Sequence, residues 1–157
     1  MESENPSTLH LYYWNIRGLA AYDQLALEAA GVKYEYHGYT EASEEEWFKR
    51  DKPALAMTLP NLPYLQDGTL LVSEHDAIFR HVLRKYKPEM LGTTLEEQAL
   101  VDQFISFWMK TNGTIRDFCY DHKDPTTEDR MKLIESFSAP LTRIEALLAS
   151  QKFHIGE

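Results

Sequence analysis

Leu9-His10-Leu11-Tyr12-Tyr13-Trp14 is followed by Asn15-Ile16-Arg17-Gly18, by an Ala/Leu-rich run from Leu19 to Ala30, and by Val32-Lys33-Tyr34-Glu35-Tyr36-His37-Gly38. These residues decide the fold. The first run is dense in aromatic side chains that favour an extended backbone and stops at Asn15, which predicts a strand. In the second run Leu25 and Ala29 lie four apart, and Gly31 stands just past the end, where a helix C-terminus favours glycine. The third run alternates and predicts another strand. Two strands joined through a helix form a crossover unit, so the pair is expected to be parallel.

Working outward, residues 40–51 carry Ser43 ahead of three glutamates, which predicts a short capped helix with Trp47 and Phe48 to bury. Leu62-Pro63-Tyr64-Leu65-Gln66 and Thr69-Leu70-Leu71-Val72 flank Asp67-Gly68, a strong hairpin signal. Pro63 suits the opening of its strand, where a missing N–H is tolerated. Ser73 or Asp76 then caps a helix running to Lys85, with Ala77, Ile78, Val82 and Leu83 on its apolar stripe and Lys87-Pro88 at its end. Beyond Gly92 no strand signal returns. Thr94 and Glu97 make a capping box ahead of Leu100, Phe104, Phe107 and Trp108. A second long helix is expected from about Glu128 to Ser150, with Met131, Ile134, Leu141, Ile144 and Leu148 on one face and Pro140 as an interior irregularity. The organisation expected is a polar arm (1–8), an α/β domain (9–86), a linker (87–93) and a helical domain (94–157).

The chain has 157 residues, with 16 Lys+Arg against 25 Asp+Glu and a formal charge of −9. Such an acidic balance complements neither a phosphate backbone nor an anionic bilayer, so no nucleic-acid partner is expected. No apolar run of about 18 residues offers a membrane span. A single cysteine, Cys119, excludes an intramolecular disulfide and a multi-cysteine zinc site, and reads as a packed small hydrophobe. The first eight residues lack the patterns of secretory and mitochondrial leaders, which sets a cytoplasmic expectation.

Two separated motifs carry a family resemblance. Tyr12-Tyr13-Trp14-Asn15-Ile16-Arg17-Gly18-Leu19-Ala20 is similar to the N-terminal signature of mu-class cytosolic glutathione transferases, and Pro60-Asn61-Leu62-Pro63-Tyr64-Leu65 with Asp67-Gly68 resembles that family's cis-proline loop and hairpin. Leu100-Val101-Asp102, Cys119-Tyr120 and Ala139-Pro140-Leu141 resemble mu and sigma sequences as well. The resemblance implies an α/β plus all-α protein: a thioredoxin-like N-terminal domain ordered βαβ, helix, ββα, then an incomplete helical domain. Phe153-His154-Ile155-Gly156-Glu157 is similar to the stretch before the family's central buried helix, which implies either a truncated chain or cover supplied by another subunit.

What the resemblance implies chemically is a glutathione S-transferase of mu/sigma type, with glutathione as co-substrate, no permanently bound cofactor and no metal. A free thiol has a pKa of about 8.5, and the thiolate is the nucleophile. Tyr13 by the motif match is the phenol that donates to bound sulfur and stabilises its charge, and its alternative is a packed strand aromatic. Trp14, Leu19, Trp47, Lys52 (among Lys49, Arg50 and Lys52), Asn61, Leu62, Pro63, Glu74 and His75 are the implied glutathione contacts. If Pro63 is cis, Leu62 offers its main chain to the tripeptide, and otherwise Pro63 is an edge-strand proline. His75 stands where the family has a hydroxyl, and reads either as a binding residue or as a solvent-facing one. Lys110 replaces an Asp that reaches the glutamyl amine from a neighbouring subunit. Tyr120 matches an electrophile contact or an interhelical core or rim aromatic. The partners implied are glutathione, a small hydrophobic electrophile and a second copy of the chain or a larger complex. The rival reading is a catalytically silent structural or interaction subunit. A disulfide reductase is excluded because no cysteine lies near the end of the first strand.

Overall fold

The computed structural model describes residues 8–149, so the expected polar arm up to residue 7 and the stretch 153–157 lie outside the described residues. Strand β1 (Leu9–Trp14), helix α1 (Ala20–Ala29) and strand β2 (Tyr34–Tyr39) form the crossover unit. β1 and β2 are parallel, from Leu9 opposite Tyr34 to Trp14 opposite Tyr39. β2 begins later than the alternation predicts, because Val32 is spent on closing α1. Gly31, at φ +67°, gives its N–H to Glu28, and the Val32 N–H reaches back to Leu27 at 3.0 Å. This is a Schellman closure.

Residues 41–54 form a broken helical segment capped by Thr40 rather than Ser43, whose hydroxyl instead accepts the Thr40 N–H at 2.7 Å. Strands β3 (Tyr64–Asp67) and β4 (Leu70–Ser73) complete a mixed sheet ordered β2-β1-β3-β4. Asp67 pairs with Leu70, so the two-residue loop is Gly68-Thr69, one residue later than expected. Gly68 takes the left-handed φ of +61° that such a loop demands at its first position. Helix α2 (His75–Tyr86) follows, with Ile78, Val82 and Leu83 buried and Ala77 exposed.

Alternation along β1 separates two faces. Leu9, Leu11 and Tyr13 are buried, while His10, Tyr12 and Trp14 lie half-buried on the other side. The buried face of α1 is Ala20, Asp23, Ala26 and Leu27, and Leu25 of the expected pair is exposed. Small residues at these positions suit the close packing of α1 on α2.

One polar cluster ties the hairpin to α2. The largely buried Asp67 carboxylate accepts from Lys85 Nζ at 2.6 Å and lies 2.8 Å from His81 Nε2. Burial pushes the carboxyl upward, but the bonds to Lys85 and His81 more than offset it and hold it below the ordinary carboxylate range. A carboxyl depressed in the folded state stabilises the fold above its unfolded pKa and loses that contribution as pH falls through the folded value. Asp67→Asn is expected to cost about 2–3 kcal/mol at pH 7, with the deficit shrinking in acid, as read from urea midpoints at several pH values.

The chain divides into two compact units between Met90 and Leu91. The second contains α3 (Leu95–Asp121) and α4 (Thr127–Leu148). Both start with capping boxes, the expected Thr94/Glu97 and also Thr126/Asp129. Pro140 lies inside α4. Phe104 and Phe107 of α3 and Ile144 and Leu147 of α4 line a cleft between the two helices. Met131, Ile134, Leu141 and Leu148 of the expected stripe are exposed. Cys119 is exposed too, which corrects its reading as a packed hydrophobe: it lies on an outward face of α3's last turns. Among the described residues no helix is long and apolar enough to cross a membrane.

Candidate glutathione site

The end of β1 and the start of α1 are built around one phenol. Tyr13 points inward from β1 with only 6% of its surface exposed. Its hydroxyl oxygen accepts the Leu19 N–H at 3.2 Å. Leu19 precedes the first residue of α1, so this donor belongs to the positively polarised end of a helix. Gly18, at φ +40°, makes the close approach possible: a Cβ there would lie 2.5 Å from the Tyr13 hydroxyl and 2.8 Å from Cε1. The loop between them is pinned as well. Asn15 N–H bonds to the Tyr39 carbonyl at 2.6 Å, and the Tyr36 hydroxyl donates to the Trp14 carbonyl at 2.7 Å. A phenol whose oxygen already accepts an amide is held in one orientation and is a stronger donor through its own proton.

A second group of expected residues meets at the start of α2. The Leu62–Pro63 peptide is cis. Leu62 and Pro63 are buried and precede the β1–β3 ladder, whose Tyr12–Tyr64 pair is nearest to them. Ser73 secures this loop by donating to the Leu59 carbonyl at 2.5 Å. Glu74, the residue before α2, has φ +71° and ψ +116°, the sole positive φ outside glycine among the described residues. Such a conformation costs on the order of 1–3 kcal/mol and clusters at functional sites. The Asn61 side-chain amide donates to the Glu74 carboxylate at 3.0 Å, which joins the proline loop to the start of α2. His75 is not solvent-facing. Its side chain is 14% exposed and its ring centroid lies 5.9 Å from that of Tyr22 on α1.

The helical segment 41–54 carries Trp47 and the three candidate cations. Trp47 is 1% exposed and packs against Tyr39 and Tyr64, with ring centroids at 5.3 and 6.1 Å. Its burial makes it the anchor of the segment. Phe48 is the exposed neighbour, 6.1 Å from the Trp14 ring. Of the three candidate cations, Lys49 pairs with Glu45, and Arg50 pairs with Glu46 and Asp51. Lys52 lies over the Phe48 ring at 5.8 Å and, among the described residues, is in no ion pair.

Comparison with known proteins identifies the family. Residues 9–84 match the family model for the glutathione S-transferase N-terminal domain. The chain is 32% identical over 153 residues to glutathione S-transferase Mu 2 of Macaca fuscata fuscata, covering 94% of this chain and 67% of the relative. This chain belongs to the glutathione S-transferase family. Another member, the class-mu 26 kDa isozyme 51 of Fasciola hepatica, is 38% identical over 113 residues, 72% of this chain and 50% of the isozyme. A solved glutathione S-transferase-I bound with lactoylglutathione superposes with a TM-score of 0.78 at 26% identity, covering 96% of this chain and 76% of that one.

For a glutathione S-transferase, the N-terminal unit brings together Tyr13, Gly18 and Leu19 in one cluster and Asn61, Leu62, Pro63, Glu74 and His75 in another. Tyr120 lies in the second unit near the end of α3 and is 75% exposed, so it is no interhelical core residue. Lys110 lies on the same helix and lines a cleft with Phe137 and Pro140. One contributor was not legible in the sequence. The Asn61–Glu74 bond spans 13 residues and carries no local signal.

Proposed function

We propose that this chain binds glutathione in its N-terminal unit and transfers the glutathione thiolate to small hydrophobic electrophiles. The observation that carries the reading is the Tyr13 hydroxyl, held at the start of α1 by the Leu19 amide and backed by Gly18. Tyr13 donates its proton in a hydrogen bond to the bound sulfur and favours the thiolate over the thiol. The thiol proton leaves to solvent and the sulfur lone pair attacks the electrophilic carbon; the leaving group departs with its bonding pair, or in an addition the displaced pair moves to the neighbouring atom and takes up a proton from solvent, to give a thioether. The chain's own work is thiolate stabilisation and positioning.

The remaining contacts of this reading are those the family resemblance implies. Glu74 and Asn61 hold the glutamyl amine, and the first N–H groups of α2 donate to its carboxylate. Leu62 pairs with the cysteinyl residue through its main chain, and Lys52 takes the glycyl carboxylate, with Trp14 and Phe48 alongside. Tyr120 contacts the electrophile. The placed Tyr13 hydroxyl and the strained Glu74 support this over a silent structural subunit, since burial of the Tyr13 ring needs no hydroxyl and packing needs no positive φ at Glu74. A second copy of the chain and a cytoplasmic setting accompany the reading.

Retention on immobilised glutathione, followed by conjugation to a nitro-activated aryl chloride, tests it. The wild-type chain is expected to be retained and to turn over. Glu74→Ala is expected to weaken glutathione binding about tenfold by removing the carboxylate facing the amine. A folded chain that neither binds glutathione nor turns over would return the silent reading.

A further inference from the structure

The face of β1 opposite Tyr13 carries a group of side chains that glutathione chemistry does not use. His10 on β1 and Glu35 and His37 on β2 share this face, because the parallel register sets Glu35 opposite His10 and His37 opposite Tyr12. His10 Nδ1 lies 3.0 Å from His37 Nε2, His10 Nδ1 lies 3.3 Å from Glu35 Oε2, and His37 Nε2 lies 3.8 Å from the same oxygen. We infer that these three side chains form a binding site for a divalent transition metal of the zinc class.

The dimensions carry the inference. A triangle with these sides has a circumscribed circle of radius about 2.0 Å, which is the length of a zinc–nitrogen or zinc–carboxylate bond. A cation seated at the centre of the triangle, or slightly above it, reaches all three donor atoms without movement of the backbone. Two imidazoles and one carboxylate are a borderline donor set that selects zinc, nickel or copper over magnesium and calcium, which demand oxygen. Three protein donors leave further positions open for water. The ring of His37 is oriented by stacking on Tyr12, with centroids 4.4 Å apart and planes 14° from parallel, and Tyr12 stacks in turn on Tyr64 at 4.2 Å. Ligand orientation therefore comes from the sheet itself. All three groups remain accessible to solvent, so an ion has an entry path. A bound metal would clamp β1 to β2, and its binding energy would stabilise the N-terminal unit.

The test is a calorimetric titration of the full chain with zinc chloride. It is done in a Cys119→Ser background, which removes the exposed thiol as a competing ligand. One saturable equivalent is expected, together with a rise in the thermal midpoint that EDTA reverses. Glu35→Gln, at an exposed position with no packing role, is expected to weaken binding at least about tenfold, and His10→Gln and His37→Gln at least as much. Midpoints in EDTA establish that the variants fold. No saturable zinc binding, or binding that all three variants leave unchanged, would reduce the cluster to a hydrogen-bonded group without a metal. Glutathione retention by the same variants stays at the parental level, so the two proposals fail separately.

Discussion

Tyr13→Phe is expected to lower kcat/KM for conjugation about 10- to 100-fold at pH 6.5, with a deficit that narrows toward pH 9. The pH dependence is the informative part. Without its donor the bound thiol returns toward the ordinary pKa of about 8.5, so only about one molecule in a hundred is ionised at pH 6.5. A thiolate of higher pKa is intrinsically more nucleophilic, which offsets part of the loss and keeps it from being larger. At pH 9 both enzymes hold thiolate and the difference contracts. A purely structural tyrosine would instead give a deficit that is flat with pH. The ring is buried, so phenylalanine keeps the packing, and loss of the bond to the Leu19 amide costs about 1 kcal/mol of stability. Gly18→Ala supplies the complementary variant. It leaves the hydroxyl chemically intact but drives a methyl group to within 2.5 Å of it, in a backbone conformation at φ +40° that alanine resists. A similar rate loss is expected, and the double variant is expected to be no slower than the worse single one, because both changes remove the same placed donor.

The parts of this molecule that were legible in the sequence rest on short-range physics. The Thr94/Glu97 capping box, the closure of α1 at Gly31 and the hairpin at Gly68 each involve residues within five positions of one another. The Tyr13 cluster was legible for the same reason, since β1, Gly18 and the first turn of α1 are contiguous. What escaped depends on register and depth. Trp47 is expected to be buried, but the Tyr39 and Tyr64 rings that enclose it come from β2 and β3, which its neighbours in sequence do not show. His10, Glu35 and His37 are joined only by the parallel register of two strands, and alternation alone gives no register. On α1 Leu25 lies outside and Asp23 inside, the reverse of what their polarity favours. That inversion leads to the largest stability effect expected in this chain.

Stability of the chain is expected to fall as pH rises from about 4 to about 8, on account of Asp23. This carboxyl is fully buried on α1, and neither oxygen has a hydrogen-bond partner among the described residues. Burial, reinforced by the Asp76 carboxylate at the start of α2, pushes it up to about 8 from an ordinary 3.8. Between those values the unfolded chain has released the proton and the folded chain still holds it. The slope of unfolding free energy is then negative, about 1.4 kcal/mol lost per pH unit. The contribution is complete below the unfolded pKa and gone above the folded one, opposite in sign to that of Asp67. Asp23→Asn keeps the size and removes the titration. It is expected to be nearly neutral at pH 4 and to stabilise the fold by about 5 kcal/mol at pH 8. Denaturant midpoints of the two proteins, measured from pH 4 to pH 8.5, read the effect directly. Parallel curves would mean that Asp23 ionises without penalty, and that α1 and α2 open enough in solution to hydrate it.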